Sequence, residues 1–167
     1  MDIKLIKKNI LKIDEFQFKC SIGAKGIKKN KIEGDFWNQR GRYKLKNLFY
    51  RDDREKKFNC VLNTVKIKKN MGWCDDPKST KYNKLINLPF SYRYEQLFKR
   101  ENTYDIILVL NYNMNPVKKN KGSAIFIHIA KKNYKKTQGC VAVKKLDLLK
   151  ILKVIKINTK VKIEHQR

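Results

Sequence analysis

Apolar and polar residues alternate along much of the chain, and this pattern predicts a protein built largely of strands. In residues 14–22, Phe16, Phe18, Cys20 and Ile22 fall on one face. A period of two is typical of half-buried strands. Segments with this period are residues 14–22, 42–50, 60–68 and 160–164. In the third of these we expect Val61, Val65 and Ile67 to share a face.

Two further segments, residues 104–110 and 123–130, are almost entirely apolar. Such runs are typical of central strands buried on both faces. In the second run, Ile125, Ile127 and Ile129 should point one way and His128 the other. A polar, titratable side chain is therefore predicted on the face opposite three isoleucines.

Helices are fewer in this pattern. Residues 92–99 suit a short helix, and in residues 145–153 Leu146, Leu149 and either Leu152 or Ile151 recur at helical spacing. Residues 23–41 and 70–90 are expected to be loops, and the charged segment 51–57 is expected to be solvated. The predicted fold is mostly β, a sandwich-like or barrel-like single domain over residues 1–167 with a few short helices.

Charge adds a second consideration, because 41 Lys and Arg residues against 15 Asp and Glu residues give a net charge of +26. Only seven of the basic residues are Arg, and bidentate contacts to bases and phosphates favour Arg. We therefore attribute most of the excess to a Lys-rich, AT-rich coding background and expect no nucleic-acid partner. A non-enzymatic basic module that binds nucleic acid is the alternative.

The hydrophobic fraction of 41% argues against a disordered basic tail. The sequence contains no apolar run of the length that a transmembrane helix requires, so we expect no transmembrane segment. Residues 1–12 lack an uninterrupted apolar stretch, and no export signal is expected there.

The four cysteines, Cys20, Cys60, Cys74 and Cys140, form no CxxC pair, and the chain has only two histidines. Neither a zinc site nor a disulfide framework is expected from this spacing. Cys20 falls on the apolar face of its strand and suits a core position. The roles of Cys60 and Cys74 stay open.

Cys140 and His128 are the candidate chemical pair. A nucleophilic cysteine needs a base for its proton, and Gly139 allows a tight backbone turn whose N–H groups could hold an oxyanion. The alternative is that His128 and Cys140 are ordinary buried residues. His165, near the end of the sequence, is expected to be exposed and frayed.

Several ordered motifs carry a family resemblance: GSAIFIHIA at 122–130, Tyr134, TQGCVAV at 137–143, DLL at 147–149, EGD at 33–35 with GRY at 41–43, GWCDDP at 72–77 with YN at 82–83, and YN at 112–113 with Pro116. Together they resemble the L,D-transpeptidase catalytic domain, the YkuD family, in a branch with a compact active-site loop. Gln138 and Ala142 stand where the broader family usually carries histidine and arginine. The threonine and proline of its first stretch are absent.

The resemblance implies a peptidoglycan L,D-transpeptidase. Cys140 would be the nucleophile, His128 the proton acceptor and donor, and the Gly139 and Cys140 N–H groups the oxyanion hole. Attack on a stem peptide would release D-alanine and form a thioacyl-enzyme. An amine of a second stem would then give a cross-link; with water instead, the protein would be an L,D-carboxypeptidase.

The resemblance also implies no metal, no organic cofactor, a monomer, and peptidoglycan stem peptides as partners. Its chemistry implies the periplasm or cell envelope. Candidate substrate-binding residues are Trp73, Tyr112, Tyr134, Thr137 and Gln138, with core packing as the alternative role of Trp73 and Tyr112. Lysines lining the cleft would attract peptide carboxylates and favour the Cys140 thiolate.

Overall fold

A computed structural model describes residues 1–7 and 9–164, so the expectation for His165 lies outside the described residues. Strands dominate this part of the chain: β1 (Asp2–Lys7), β2 (Ile10–Ile13), β3 (Phe16–Ser21), β4 (Gly26–Lys28), β5 (Trp37–Gln39), β6 (Gly41–Tyr50), β7 (Asn63–Lys66), β8 (Met71–Cys74), β9 (Leu85–Asn87), β10 (Tyr94–Gln96), β11 (Ile106–Leu110), β12 (Phe126–Ile129), β13 (Val141–Val143) and β14 (Lys160–Ile163). One α-helix, α1 (Lys145–Val154), and two 3-10 turns, Asn102–Tyr104 and Lys132–Tyr134, accompany them.

The largest sheet closes on itself. Its strands follow the order β11-β12-β13-β3-β2-β1-β14-β6, and β6 pairs back with β11. Strand β6 is ten residues long, so its second half also pairs with β7 in parallel. A three-stranded sheet, β10-β8-β9, and a parallel pair, β4-β5, lie outside this ring. The predicted mostly-β, barrel-like fold is confirmed.

The interior of the closed sheet is the main hydrophobic core. Inward residues of β1, β2 and β3 alternate with outward polar ones, and Ile125, Ile127 and Ile129 join them from the β12 segment. Helix α1 adds Leu148, Ile151 and Leu152 to the same core. Their spacing of three and four residues defines one face of a helix.

A second core lies on the outer face of β11 and β12, beneath the β10-β8-β9 sheet. Ile107, Val109 and Phe126 pack there against Trp73 and Leu97. This covering layer explains why every residue of β11 is buried and why its sequence is uniformly apolar. The predicted orientation of β12, with its isoleucines inward and His128 on the opposite face, is confirmed.

Several local predictions were wrong, because the conformation of a short segment depends on the strands with which it pairs. Residues 92–99 contain no helix: β10 pairs antiparallel with β8 instead. The expected loops 23–41 and 70–90 contain β4, β5, β8 and β9. No strand was predicted before residue 14, but β1 (Asp2–Lys7) and β2 (Ile10–Ile13) lie there, and β1 pairs in parallel with β14.

Three expectations about which side chains are buried also need correction. Leu146 is 71% exposed, because the inward face of α1 begins at Leu148 instead. Val61 lies before β7 and is 49% exposed, while Ile67 is buried. Arg51 is buried rather than solvated: its guanidinium bonds Asp53 and lies 3.4 Å from the centre of a phenylalanine ring.

Candidate active site

The two candidate reactive side chains lie on neighbouring parallel strands. Strand β12 pairs with β13 so that Ile127 faces Val141 and His128 faces Ala142. Cys140, directly before β13, is therefore level with Phe126. Because side chains alternate along a strand, Phe126, His128, Cys140 and Ala142 share one face of the sheet. The closed sheet thus brings Cys140 and His128 to the same wall.

A tight turn at residues 137–140 presents the thiol. The Thr137 hydroxyl donates to the Cys140 carbonyl at 2.6 Å and accepts from the Gly139 N–H at 3.2 Å. Gly139 has a φ of +132°, and a Cβ there would meet the Trp37 carbonyl oxygen at 2.9 Å. Only glycine therefore suits this position.

Asn38 fastens this turn from beneath. Its side chain is fully buried, and its Nδ2 donates to the carbonyls of Gly139 at 2.7 Å and Cys140 at 3.2 Å. Its Oδ1 accepts the Gly23 N–H at 2.5 Å. Asn38 lies between the Glu33-Gly34-Asp35 and Gly41-Arg42-Tyr43 motif residues, so that stretch of sequence serves to hold the cysteine turn.

The residue Cys140 as a whole is half-buried. Its Sγ donates to the Ala124 carbonyl at 3.2 Å and lies 3.4 Å from the Phe126 N–H. The pKa of Cys140 is raised to about 12, mainly by burial and also by the charge of Glu95, while the Phe126 N–H, Lys31 and Lys99 oppose this shift. The expected thiolate is therefore not the resting form, because desolvation outweighs the lysines.

The imidazole of His128 is buried and held at one nitrogen. Its Nδ1 lies 2.9 Å from the Ile129 carbonyl oxygen, which can only accept, so Nδ1 carries the proton and Nε2 is the basic nitrogen. The pKa of His128 is lowered to about 4, mainly by burial and also by Lys99 and Lys131, while the Ile129 carbonyl and Glu95 oppose this shift. At rest the pair is a neutral thiol and a neutral imidazole.

A cluster of three side chains borders the imidazole. The Tyr104 ring meets His128 edge-on, with ring centres 5.2 Å apart. The Tyr104 hydroxyl donates to Glu95 Oε1 at 2.6 Å, and Lys99 Nζ lies 2.9 Å from the same oxygen. The sequence alone did not single out this cluster, since Glu95 and Lys99 fall in the segment mistaken for a helix.

Both candidate residues, Cys140 and His128, line an open cavity of about 590 Å³. Its charged lining is mainly basic, with Glu33, Asp75 and Glu95 as the acidic members and Lys31, Arg93, Lys99, Lys131, Lys135 and Lys136 as the basic ones. Thr137 and Gln138 also line it, and Gln138 is exposed. A cavity with this charge is suited to peptides that carry carboxylates.

The three aromatic candidates do not lie on the described cavity wall. Trp73 is buried in the second core, and its Nε1 donates to Asn83 Oδ1 at 3.0 Å. Tyr112 packs edge-on against Tyr43 and donates to the Lys121 carbonyl. Tyr134 lies beneath the ammonium of Lys19, 5.0 Å from the ring centre. Their geometry favours packing over substrate contact.

Asn83 links the aromatic candidates Trp73 and Tyr112 to the segment before β12. Its Oδ1 also accepts the Ala124 N–H at 2.9 Å, and its Nδ2 donates to the carbonyls of Tyr112 at 3.0 Å and Asn113 at 2.6 Å. The neighbouring Tyr82 hydroxyl donates to Glu33 Oε2 at 2.5 Å. These bonds join separate motif segments into one frame around the Cys140 loop.

The other cysteines are free and lie away from the cavity lining. Cys20 belongs to the main core, where burial raises its pKa to about 12, and Cys60 packs against that core. Cys74 is fully buried, with its Sγ 3.9 Å from the Asp76 carbonyl oxygen.

Among residues 1–7 and 9–164, no group of three or more His, Cys, Asp or Glu side chains could hold a metal ion. None of the helices in this part of the chain is long and apolar enough to span a membrane.

Comparison with known proteins identifies the family and the fold. The family model of the YkuD L,D-transpeptidase catalytic domain matches residues 8–163. Among solved structures, the chain is similar to the helical cell shape determining protein Pgp2 from Campylobacter jejuni, with 18% identity and a TM-score of 0.54. That likeness covers 99% of this chain and 47% of the other, so the chain spans about half the length of that protein. No curated protein matches by sequence.

The family match extends over nearly the whole sequence and includes β12, the cysteine turn and the loops that frame them. At its level of identity, the structural likeness to Pgp2 shows the fold. The chain therefore belongs to the YkuD family of L,D-transpeptidase catalytic domains, whose members are cysteine-dependent enzymes of peptidoglycan metabolism.

Proposed function

We propose that this protein is a cysteine acyltransferase acting on peptidoglycan stem peptides, with Cys140 as nucleophile and His128 as proton acceptor and donor. One observation carries the proposal: both side chains lie on the same face of paired strands and line one cavity, while the Ile129 carbonyl holds the imidazole with Nε2 as its basic nitrogen. A base held by a third group beside a nucleophile is the general arrangement for covalent catalysis.

The reaction begins from the neutral pair. Because the pKa of Cys140 is about 12 and that of His128 about 4, the proton stays on sulfur until a carbonyl carbon is in place. As the S–C bond forms, His128 takes the thiol proton. It returns that proton to the leaving nitrogen, so D-alanine departs as an amine and a thioacyl-enzyme remains.

The oxyanion formed in this step needs hydrogen-bond donors near Gly139 and Cys140. The Gly139 N–H already donates to Thr137 Oγ1, so the Cys140 N–H is the backbone group that we assign to the oxyanion. Thr137 then shapes the turn, and Gln138, exposed on the cavity wall, is the neighbouring residue available to substrate.

The acceptor decides the product. An amine of a second stem peptide would give a cross-link and make the protein a transpeptidase, whereas water would make it an L,D-carboxypeptidase. The exposed lysines at 131, 135 and 136 line the cavity and are suited to draw in the carboxylates of either substrate. The likeness to a cell shape determining protein supports a role in shaping the cell wall.

We further propose that residues 1–167 act as a single domain and as a monomer. The pairing of β1 with β14 joins the two ends of the described chain into one sheet, which supports the first point.

Acylation by a carbapenem tests the proposed chemistry. Intact mass spectrometry should show one adduct on the wild-type protein and none on Cys140→Ser. His128→Ala should slow acylation by about 10²-fold, as expected for the loss of a general base. An unmodified wild-type protein would refute the proposal, and an unchanged rate in His128→Ala would remove the imidazole from the mechanism. Purified stem peptides then distinguish transfer from hydrolysis by the mass of the product.

A further inference from the structure

A buried lysine lies beside the cysteine turn. Lys31 is 4% exposed, yet it lines the same cavity as Cys140. Its Nζ lies 3.2 Å from the point where a Cβ of Gly139 would stand. An ammonium group is strongly hydrated and is seldom buried without a partner. Its position therefore calls for an explanation.

Two glycines from separate motifs make room for this side chain. A Cβ at Gly122 would meet Lys31 Cε at 2.8 Å and Cδ at 2.9 Å. Both Gly122 and Gly139 have positive φ values, +92° and +132°, which other residues rarely adopt. The Lys31 stem thus runs along one glycine and its charged end reaches the other, directly before the nucleophile.

The internal partner of this ammonium is Asp35, with which it forms a buried ion pair. The distance from Lys31 Nζ to Asp35 Oδ1 is 3.8 Å, so the two groups interact by charge and form no hydrogen bond. The Asp35 carboxylate also accepts the N–H groups of Ile32 at 2.8 Å and Trp37 at 3.2 Å. Within the described residues no hydrogen bond is formed by Lys31 Nζ, so its donors are available to a group in the cavity.

The proposed reaction creates a negative oxygen at this place. Its backbone donors are incomplete, because the Gly139 N–H is directed to Thr137 Oγ1. We propose that Lys31 is a further catalytic residue, whose ammonium stabilises the oxyanion together with the Cys140 N–H. This inference rests on the proposed acyl transfer by Cys140.

The step balances without another reactant. As the S–C bond forms, the thiol proton moves to His128 and the carbonyl π pair moves to oxygen, where Lys31 compensates the charge. When the pair returns, the C–N bond breaks, and the nitrogen takes the proton from His128. Lys31 gains and loses no proton, so its contribution is electrostatic.

The charges near the pair do not act on its two members in the same way. Lys31 is among the charges that lower the pKa of Cys140 and is not among those that act on His128, whereas Glu95 and Lys99 act on both groups. The charge of Lys31 is therefore felt at the sulfur and not at the base.

Two reactions of the same thiol separate stabilisation of an oxyanion from other effects. Carbapenem acylation passes through an oxyanion, whereas alkylation by iodoacetamide needs only the thiolate. In Lys31→Met, which keeps the apolar stem and removes the charge, acylation should slow by about 10²-fold. Alkylation, corrected with Cys140→Ser, should slow by less than about tenfold, because the thiolate loses one neighbouring cation.

Lys28→Met is the matched control, because this substitution removes the same charge from an exposed residue on β4 that does not line the cavity. Its acylation rate should stay within about twofold of the wild-type rate. Equal slowing of acylation and alkylation in Lys31→Met, or an unchanged acylation rate, would overturn the role of Lys31 alone. A wild-type protein that is alkylated but never acylated would refute the proposed function, and the role of Lys31 with it.

Discussion

Asn38 allows a quantitative test of how the cysteine turn is held. Its side chain is fully buried and makes three hydrogen bonds, to the Gly23 N–H and to the carbonyls of Gly139 and Cys140. In Asn38→Ala the Cys140 carbonyl keeps the Thr137 hydroxyl as donor. The Gly23 N–H and the Gly139 carbonyl lose their hydrogen bonds to the Asn38 side chain.

Each buried polar group that is left without a hydrogen-bond partner costs about 1–3 kcal/mol. With two such groups, Asn38→Ala should lower the free energy of unfolding by about 2–6 kcal/mol. That is a large share of the roughly 5–15 kcal/mol by which domains of this kind are stable. The melting temperature should fall by about 4–24 °C, since each kcal/mol corresponds to about 2–4 °C at this size.

Urea unfolding followed by tryptophan fluorescence measures the first quantity, and carbapenem acylation below the melting temperature measures the effect on the site. Asn87→Ala is the control, because Asn87 is exposed on β9, and it should change stability by less than about 0.5 kcal/mol. Asn38→Asp should be at least as damaging as Asn38→Ala, since a second carboxylate oxygen would face two carbonyls. A loss below about 1 kcal/mol in Asn38→Ala would refute the reasoning.

Three further predictions concern the reactive pair and its frame. The pKa of His128 is about 4 in the folded protein and about 6.5 in the unfolded chain, so the unfolded chain binds more protons between these pH values. The contribution of the neutral imidazole to stability should therefore be lost as pH falls from 6.5 to 4. In urea unfolding, the stability of His128→Gln should depend less on pH over this range. The pKa of Cys140, about 12, predicts that its alkylation, taken as wild type minus Cys140→Ser, still rises above pH 9; a plateau near pH 8 would contradict it. Trp73→Phe removes a hydrogen-bond donor to Asn83, and urea unfolding should show a loss of about 0.5–1.5 kcal/mol in stability. The acylation rate should change less than threefold, because Trp73 is not on the described cavity wall. A tenfold slower acylation at unchanged stability would instead indicate that Trp73 contacts the substrate.

The long apolar segments were predictable because burial on both faces leaves little choice of residue. The segments around β11 and β12 were identified as central strands, and His128 was placed on the correct face. The motif resemblance identified the family, which the match over residues 8–163 confirms. The catalytic roles of Cys140 and His128 remain predictions for the acylation assays.

Short or polar segments were not predictable in this way. A three-residue strand such as β10 has too few positions for a period to show, and its pairing with β8 decides its conformation. The chain has 34 lysines, and Lys31 lies in a segment that was predicted to be a loop. Nothing in the neighbouring sequence distinguishes it from the other lysines. Asn38 lies in the stretch from which the family's threonine and proline are absent, and only its contacts show its role.

The sequence by itself determined the strand-rich class, the family and the candidate pair Cys140 and His128, because periodicity and motif order are local properties of the chain. Tertiary structure decided the protonation of the pair, since desolvation depends on neighbours that are distant in sequence. The tertiary structure also shows that the aromatic candidates pack around the site and that Asn38 and Lys31 lie at the cysteine turn. Closure of the sheet determines which residues distant in sequence meet there.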